Sequence, residues 1–246
     1  RQSFVAVVGA SGSGKSSVVR AGLIPRLRRG EDGRIWEAMS LVPTDRPLAS
    51  LAAALLPLLE PNLGEVDRLT EVGKLAHSLT ETEIRLRNVT DRILAKQPGT
   101  DRLLLFVDQW EELYTLSPNE AGRTAFIAQL LEVAQSAAVS VVLTLRGDFM
   151  GHALANRELS DQLQDSIVTI GPMTREELAE TILRPAEKTG LAFEPGLAET
   201  ILDDVGDEPG NLPLLEFLLE ALWNERRGAV LHYEAYHKLG RVAGAI

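Results

Sequence analysis

The sequence predicts an α/β chain: a five-stranded parallel sheet with helices on both faces, followed by a small all-helical subdomain. Three observations carry that expectation. Short apolar runs alternate with longer helical patterns, the signature of repeated strand–helix–strand units. The runs are rich in β-branched residues and leucine without strict alternation, as strands covered on both faces require. After Ile170 the strand-like runs stop and helical periodicity alone remains.

Five strands are predicted, at Phe4–Val8, Met39–Val42, Leu103–Val107, Val139–Leu145 and Ile167–Ile170. Between the second and third lies a long helical insert. Leu48, Leu51, Leu55 and Leu58 share one face of it, and the charged stretch Glu81–Lys96 is expected to face solvent. Beyond Ile170, Thr174-Arg175-Glu176-Glu177 forms a capping box with Met173 and Leu178 as its hydrophobic staple, so a helix begins there. A second helix is predicted from Pro195, aligning Leu197, Ile201 and Val205. A third spans about Asn211 to Arg227 and buries Leu212, Leu215, Leu219, Leu222 and Trp223. The expected domains are an α/β unit over 1–172 and a helical lid over 173–246, with the boundary near Gly171-Pro172.

Composition narrows the function. The 246 residues are 45% hydrophobic and 24% charged, which excludes disordered, collagen-like and coiled-coil classes. Zero cysteines exclude disulfide scaffolds, thiolate metal sites and cysteine nucleophiles, and fit a reducing cytoplasm. The net charge of −10 argues against a nucleic-acid-coating surface. It is polarised: residues 1–30 carry six bases and no acid, leaving −16 for the rest. Of these bases Lys15 is assigned to the motif below, while Arg20, Arg26, Arg28 and Arg29 are read as a solvated helix end. Apolar runs such as Leu103–Val107 are far too short to span a bilayer, and no membrane partner is expected. The start at Arg1, directly before a buried-type strand, suggests a piece of a longer protein.

Gly9-Ala10-Ser11-Gly12-Ser13-Gly14-Lys15-Ser16 matches GxxxxGK[ST] in full, directly after a strand and directly before a helical pattern. In this arrangement glycines let the chain wrap around a β-phosphate, with backbone N–H groups pointing inward and a helix N-terminus behind them. Lys15 would bridge the β- and γ-phosphates, and the Ser16 hydroxyl would coordinate Mg²⁺. Ser17 completes the phosphate-contacting stretch of Gly9, Ser11, Gly12, Ser13, Gly14, Lys15 and Ser16.

Leu103-Leu104-Leu105-Phe106-Val107-Asp108 is an apolar strand ending in a carboxylate, which a parallel neighbour would deliver to the same sheet edge as Ser16, on a Mg²⁺ water. Glu111 and Glu112 follow; one is placed to polarise an attacking water, and the competing reading is an acidic first helical turn. Val141–Leu145 runs into Arg146. If its strand lies between those of the loop and Asp108, Arg146 emerges beside the γ-phosphate; the competing reading is a rim pair with Asp148. Arg157 reads as a solvated helix position. His77, His152, His232 and His237 have no metal or triad spacing, and Trp36, Trp110 and Trp223 read as core anchors.

Together FVAVVGASGSGKSS, LLLFVDQWEEL, VVLTLRGDF and PGNLPLLEFLLEALW resemble the STAND class of signal-transduction ATPases, in particular its bacterial branch often linked to WD-repeat or effector domains. The resemblance runs from Phe4 to Ile246. It implies a P-loop NTPase core with strand order 5-1-4-3-2, Asp108 on Mg²⁺, Glu111 and then Glu112 in water activation, and Arg146 as the sensor arginine. A Gly-x-Pro motif touching adenine would correspond to Gly210-Asn211-Leu212-Pro213, with one extra residue between glycine and proline, which makes Pro213 the stronger match. The implied function is an ATP/ADP switch: ADP holds an inactive form, exchange to ATP moves the lid and drives oligomerisation, and slow Mg²⁺-dependent hydrolysis resets it. Flanking sensor and effector domains are the expected partners. The alternatives are a nucleotide-binding assembly scaffold with negligible turnover and an AAA+-type motor on DNA, the second opposed by the acidic charge.

Overall fold

The computed structural model describes residues 2–206 and 211–242. Strand β1 (Phe4–Gly9) feeds the glycine-rich loop, after which a helical segment comprises α1 (Lys15–Ser17), a π-helical stretch Val18–Leu23 and α2 (Ile24–Arg28). Next come β2 (Trp36–Leu41), the insert helices α3 (Pro47–Leu59), α4 (Glu65–Thr80) and α5 (Leu86–Lys96), and β3 (Arg102–Val107). Helices α6 (Glu112–Thr115) and α7 (Glu120–Val133) lead to β4 (Val139–Arg146), then α8 (Met150–Leu154), α9 (Arg157–Leu163) and β5 (Ile167–Ile170). The remainder holds α10 (Arg175–Lys188), β6 (Ala192–Phe193), α11 (Leu197–Val205), α12 (Asn211–Asn224), β7 (Val230–Leu231) and α13 (Tyr233–Lys238).

The sheet order is β2-β3-β4-β1-β5, which is the expected 5-1-4-3-2 and the arrangement of a P-loop NTPase. Pairing is parallel, with Gly9 opposite Arg146 and Val107 opposite Leu143, so the β1, β3 and β4 ends reach one edge together. Both faces are covered. Phe4, Ala6, Leu103, Leu105, Val141 and Leu143 pack with α3, α4, α5 and α7 on one side, while Leu104, Phe106 and Val142 are buried on the other. This double burial removes the apolar/polar alternation a one-sided sheet would show.

Several boundaries differ from the sequence reading. Strand β2 starts at Trp36 rather than Met39, because Trp36-Glu37-Ala38 pairs with Arg102-Leu103-Leu104 although its side chains are only half-buried. The charged stretch 81–96 is not a solvent-facing helix: α5 begins at Leu86 and buries Leu86, Val89, Thr90 and Ile93, whose i, i+3, i+4, i+7 spacing was hidden among Arg and Asp. Trp110 is a true core residue, fully buried against Phe126 at 5.8 Å. Trp36 is half-buried and Trp223 is 39% exposed, so neither anchors the core; in α12 it is Leu215, Leu218 and Leu222 that are buried.

The chain divides into two compact units: the described residues up to Gly9 with Lys15–Thr169, and Ala10–Gly14 with the described residues from Ile170 on. The second unit has its own core of Leu178, Ile182, Leu197, Ile201, Leu215, Leu222 and Tyr236. The capping box is formed, Glu177 N–H donating to Thr174 Oγ1 at 3.3 Å and Thr174 N–H to Glu177 Oε2 at 2.9 Å. It is not purely helical, since β6 and β7 pair in parallel. Helix α11 starts at Leu197, after Gly196 in the left-handed region, rather than at Pro195. The buried Tyr236 hydroxyl donates to Asp204 at 2.6 Å, and burial pushes the phenol well above its usual range.

Phe126→Ala would leave a large void beside Trp110, and the expected loss is about 3–5 kcal/mol of unfolding free energy, read by chemical denaturation.

Candidate functional site

The loop after β1 is built by two glycines. Gly12 and Gly14 have φ of +71° and +83°, a region in which a β-carbon is strained, and they turn the chain back on itself into Lys15. Ser13 N–H donates to Ala10 O at 3.3 Å, closing the turn. Ser13 is buried and its Oγ has no hydrogen-bond partner among the described residues, as befits a hydroxyl lining a cradle for a polar ligand. Gly9 is the last residue of β1; Ser11 and Ser17 are exposed.

Lys15 opens α1 and is buried, 8% exposed. Burial pulls its ammonium below the usual lysine range; Glu111 opposes this most strongly, Arg146 adds to it, and Asp108 and Asp148 oppose it more weakly. The helix then departs from α geometry. Pro25 has no N–H, and its ring cannot lie against the carbonyl four residues back. The preceding turn widens, so that Ile24 N–H reaches Val19 O, five residues earlier.

Asp108, 4% exposed, stands just past β3. Its Oδ1 accepts the Ser16 hydroxyl and the Thr144 hydroxyl, each at 2.6 Å. Its Oδ2 accepts both Nε and Nη2 of Arg20, at 3.1 and 3.0 Å. Arg20 is thus no solvated helix end: it is a partner of the strand-end carboxylate. The available signal was spacing: Arg20 follows Ser16 by four residues, which puts both on one face of a helix. Thr144, on β4, was also missed, because a threonine in a buried strand reads as ordinary β-former.

The chain leaves β3 through Gln109 in the left-handed region, φ +56°. Thr144 holds it there, accepting Gln109 N–H on its hydroxyl and Trp110 N–H on its carbonyl, both at 2.9 Å. This turn sends Trp110 into the core and brings Glu111 back, so that Glu111 Oε2 accepts Arg146 N–H at 3.2 Å. Glu112 begins α6 instead, in the acidic first turn of that helix.

Arg146 does lie on the strand between those of the loop and Asp108. Its guanidinium grips Asp148 through two hydrogen bonds, at 3.1 and 2.7 Å, and sits over Phe149 at 5.3 Å. The rim-pair geometry is therefore present, and it holds the Asp148 carboxyl below the usual range. Among the described residues Arg157 pairs with Asp161, four positions along the same helix, and both side chains are exposed. Pro213 is an exposed residue in the first turn of α12, and Gly210 lies outside the described residues. Among the described residues no cluster of three His, Asp or Glu could hold a metal. What the site offers is one carboxylate beside one hydroxyl, a hard-oxygen pair that suits Mg²⁺, which needs few protein ligands when phosphate oxygens supply the rest.

The profile of the novel STAND NTPase 1 family matches residues 1–246. The chain belongs to this family. None of the curated proteins compared matches this novel STAND NTPase. Among solved structures it resembles the Orc1 protein of Aeropyrum pernix in complex with DNA, with 18% identity and a TM-score of 0.61 over 96% of this chain and 58% of that one. It resembles the Aeropyrum pernix ORC2 protein in ADPNP–ADP complexes similarly, with 14% identity and a TM-score of 0.60 over 96% and 61%. Domain III of the replication initiation protein DnaA from Thermotoga maritima gives 12% identity and a TM-score of 0.55 over 100% and 82%. At these identities the likeness is one of fold, and the novel STAND NTPase spans about three fifths of the first two chains' length. No helix among its described residues is long and apolar enough to cross a membrane.

Proposed function

We propose that this NTPase module is an ATP/ADP switch within a larger signalling or defence protein, with slow Mg²⁺-dependent hydrolysis of the γ-phosphate. The observation that carries the reading is the convergence at one sheet edge of Lys15, Ser16, Asp108 and the Glu111–Arg146 contact, immediately after a loop shaped by two left-handed glycines. The ADPNP–ADP complexes named for the ORC2 relative agree with an adenine nucleotide as ligand.

In this reading the loop N–H groups and Lys15 hold the phosphates, the lysine's partly desolvated charge being strengthened by the lack of competing water. Ser16 and Asp108 would hold Mg²⁺, which supplies charge neutralisation at the β- and γ-oxygens. Glu111 takes the proton of the attacking water; its carboxylate is kept in place by Arg146 N–H, and it is the glutamate whose charge Lys15 feels most. For Arg146 to touch the γ-phosphate it would exchange Asp148 for phosphate, a like-for-like charge-assisted pair. The STAND resemblance would give the helical unit the part of a lid and Pro213 that of a contact to the base, and a cytoplasmic setting with flanking sensor and effector domains fits a switch of this kind.

Two competing readings separate experimentally. The protein is incubated with ATP, ADP or a non-hydrolysable ATP analogue, while phosphate release and molecular mass by light scattering are followed. The switch predicts slow phosphate release and a larger species with the analogue than with ADP. Nucleotide binding without phosphate release would instead support an assembly scaffold. A salt-sensitive complex with DNA would favour a role like that suggested by the DNA-bound Orc1 relative, which the −10 charge opposes.

A further inference from the structure

We propose that Arg20 is a resident counter-cation of Asp108 that competes with the divalent ion for this carboxylate, and so sets how much Mg²⁺ the nucleotide site needs. The inference rests on the reading of the site given above.

The two oxygens of Asp108 are divided. Oδ1 is committed to Ser16 and Thr144, at 2.6 Å each, and Thr144 is itself fixed, 1% exposed and accepting Gln109 N–H. Orientation of the carboxylate is therefore secured without Arg20. What Arg20 adds at Oδ2 is charge, delivered by two nearly equal hydrogen bonds. Its own side chain is 51% exposed and rests on the Phe106 ring at 5.5 Å, so it can swing into solvent at little cost. Among the described residues Asp108 is the carboxylate bonded to the Ser16 hydroxyl, and a unit positive charge already bound to it lowers its attraction for a second cation.

The test follows the melting temperature of the whole chain at saturating ADP as Mg²⁺ is raised. In Arg20→Met, which keeps the aliphatic cover on Phe106, the midpoint of the Mg²⁺-dependent rise should fall about tenfold, the size Coulomb's law gives for one charge near a divalent ion at a wet surface. Arg20→Gln should fall likewise, so the result does not depend on one variant folding. Arg20→Lys keeps the charge and should stay within about twofold of the parent. An unchanged midpoint in both neutral variants, or one displaced to higher Mg²⁺ as a supporting role would require, overturns the assignment. If the parent shows no ADP-dependent rise at any Mg²⁺, the nucleotide-site reading fails and takes this one with it. An ADP response in the parent without a shift in the variants overturns the Arg20 assignment alone.

Discussion

Lys15→Ala abolishes tight binding of Mg²⁺-ATP: the affinity measured by calorimetry falls by about a hundredfold or more. The lysine is expected to make charge-assisted hydrogen bonds to two phosphates, each worth about 1.5–3 kcal/mol when desolvated, and every 1.4 kcal/mol is tenfold. The neighbouring bases have other assignments, Arg20 at Asp108 and Arg146 at the γ-phosphate in exchange for Asp148, so the bonds made by Lys15 are lost. The same substitution should leave the ligand-free protein as stable as before. Burial lowers the lysine's pKa, which means that its charge opposes folding, so deleting it removes a burden as well as a side chain. Thermal melts with and without nucleotide separate the two effects. Unchanged ATP affinity in the variant would mean that the phosphates lie elsewhere.

Glu111→Gln is expected to slow phosphate release at saturating ATP by about a hundredfold or more, the usual worth of a general base, while ATP affinity changes little. Glutamine can still accept Arg146 N–H, so the local turn is preserved and only the proton acceptor is lost. Glu112→Gln should hydrolyse at close to the parent rate, because that residue begins α6. Equal rates for all three proteins would remove the water-activating role from both glutamates.

The sheet was legible because its strands are short, apolar on both faces and separated by helical periodicity, and because a glycine loop placed between a strand and a helix has few other uses. From that loop and one apolar run ending in an acid, the positions of Ser16, Asp108 and Arg146 at a common edge followed once strand order was assumed. Other features were illegible for identifiable reasons. Thr144 carries its role in a hydroxyl that is buried in a strand, where threonine is common for backbone reasons. Arg20 was assigned to solvent together with Arg26, Arg28 and Arg29 because a run of bases without acids reads as a solvated helix end. Helix α5 was judged by its charges, when Leu86, Val89 and Ile93 alone determine which face it buries. The bond from Glu111 to Arg146 N–H depends on Gln109 adopting a backbone conformation that sequence does not advertise for glutamine.

The π-helical stretch has a consequence for how such chains are compared. A π turn is equivalent to one extra residue accommodated without breaking the helix, and each helical residue corresponds to about 100° of rotation. Between Val18 and Leu23 the number of residues thus matters as much as their identity. A homologue that loses one residue between Ser16 and Arg20 would carry its arginine three positions after the serine instead of four, about 100° round the helix from its place against the aspartate. Two sequences aligned across a single gap at this place would look nearly identical while differing in whether the acid at the sheet edge has a built-in cation.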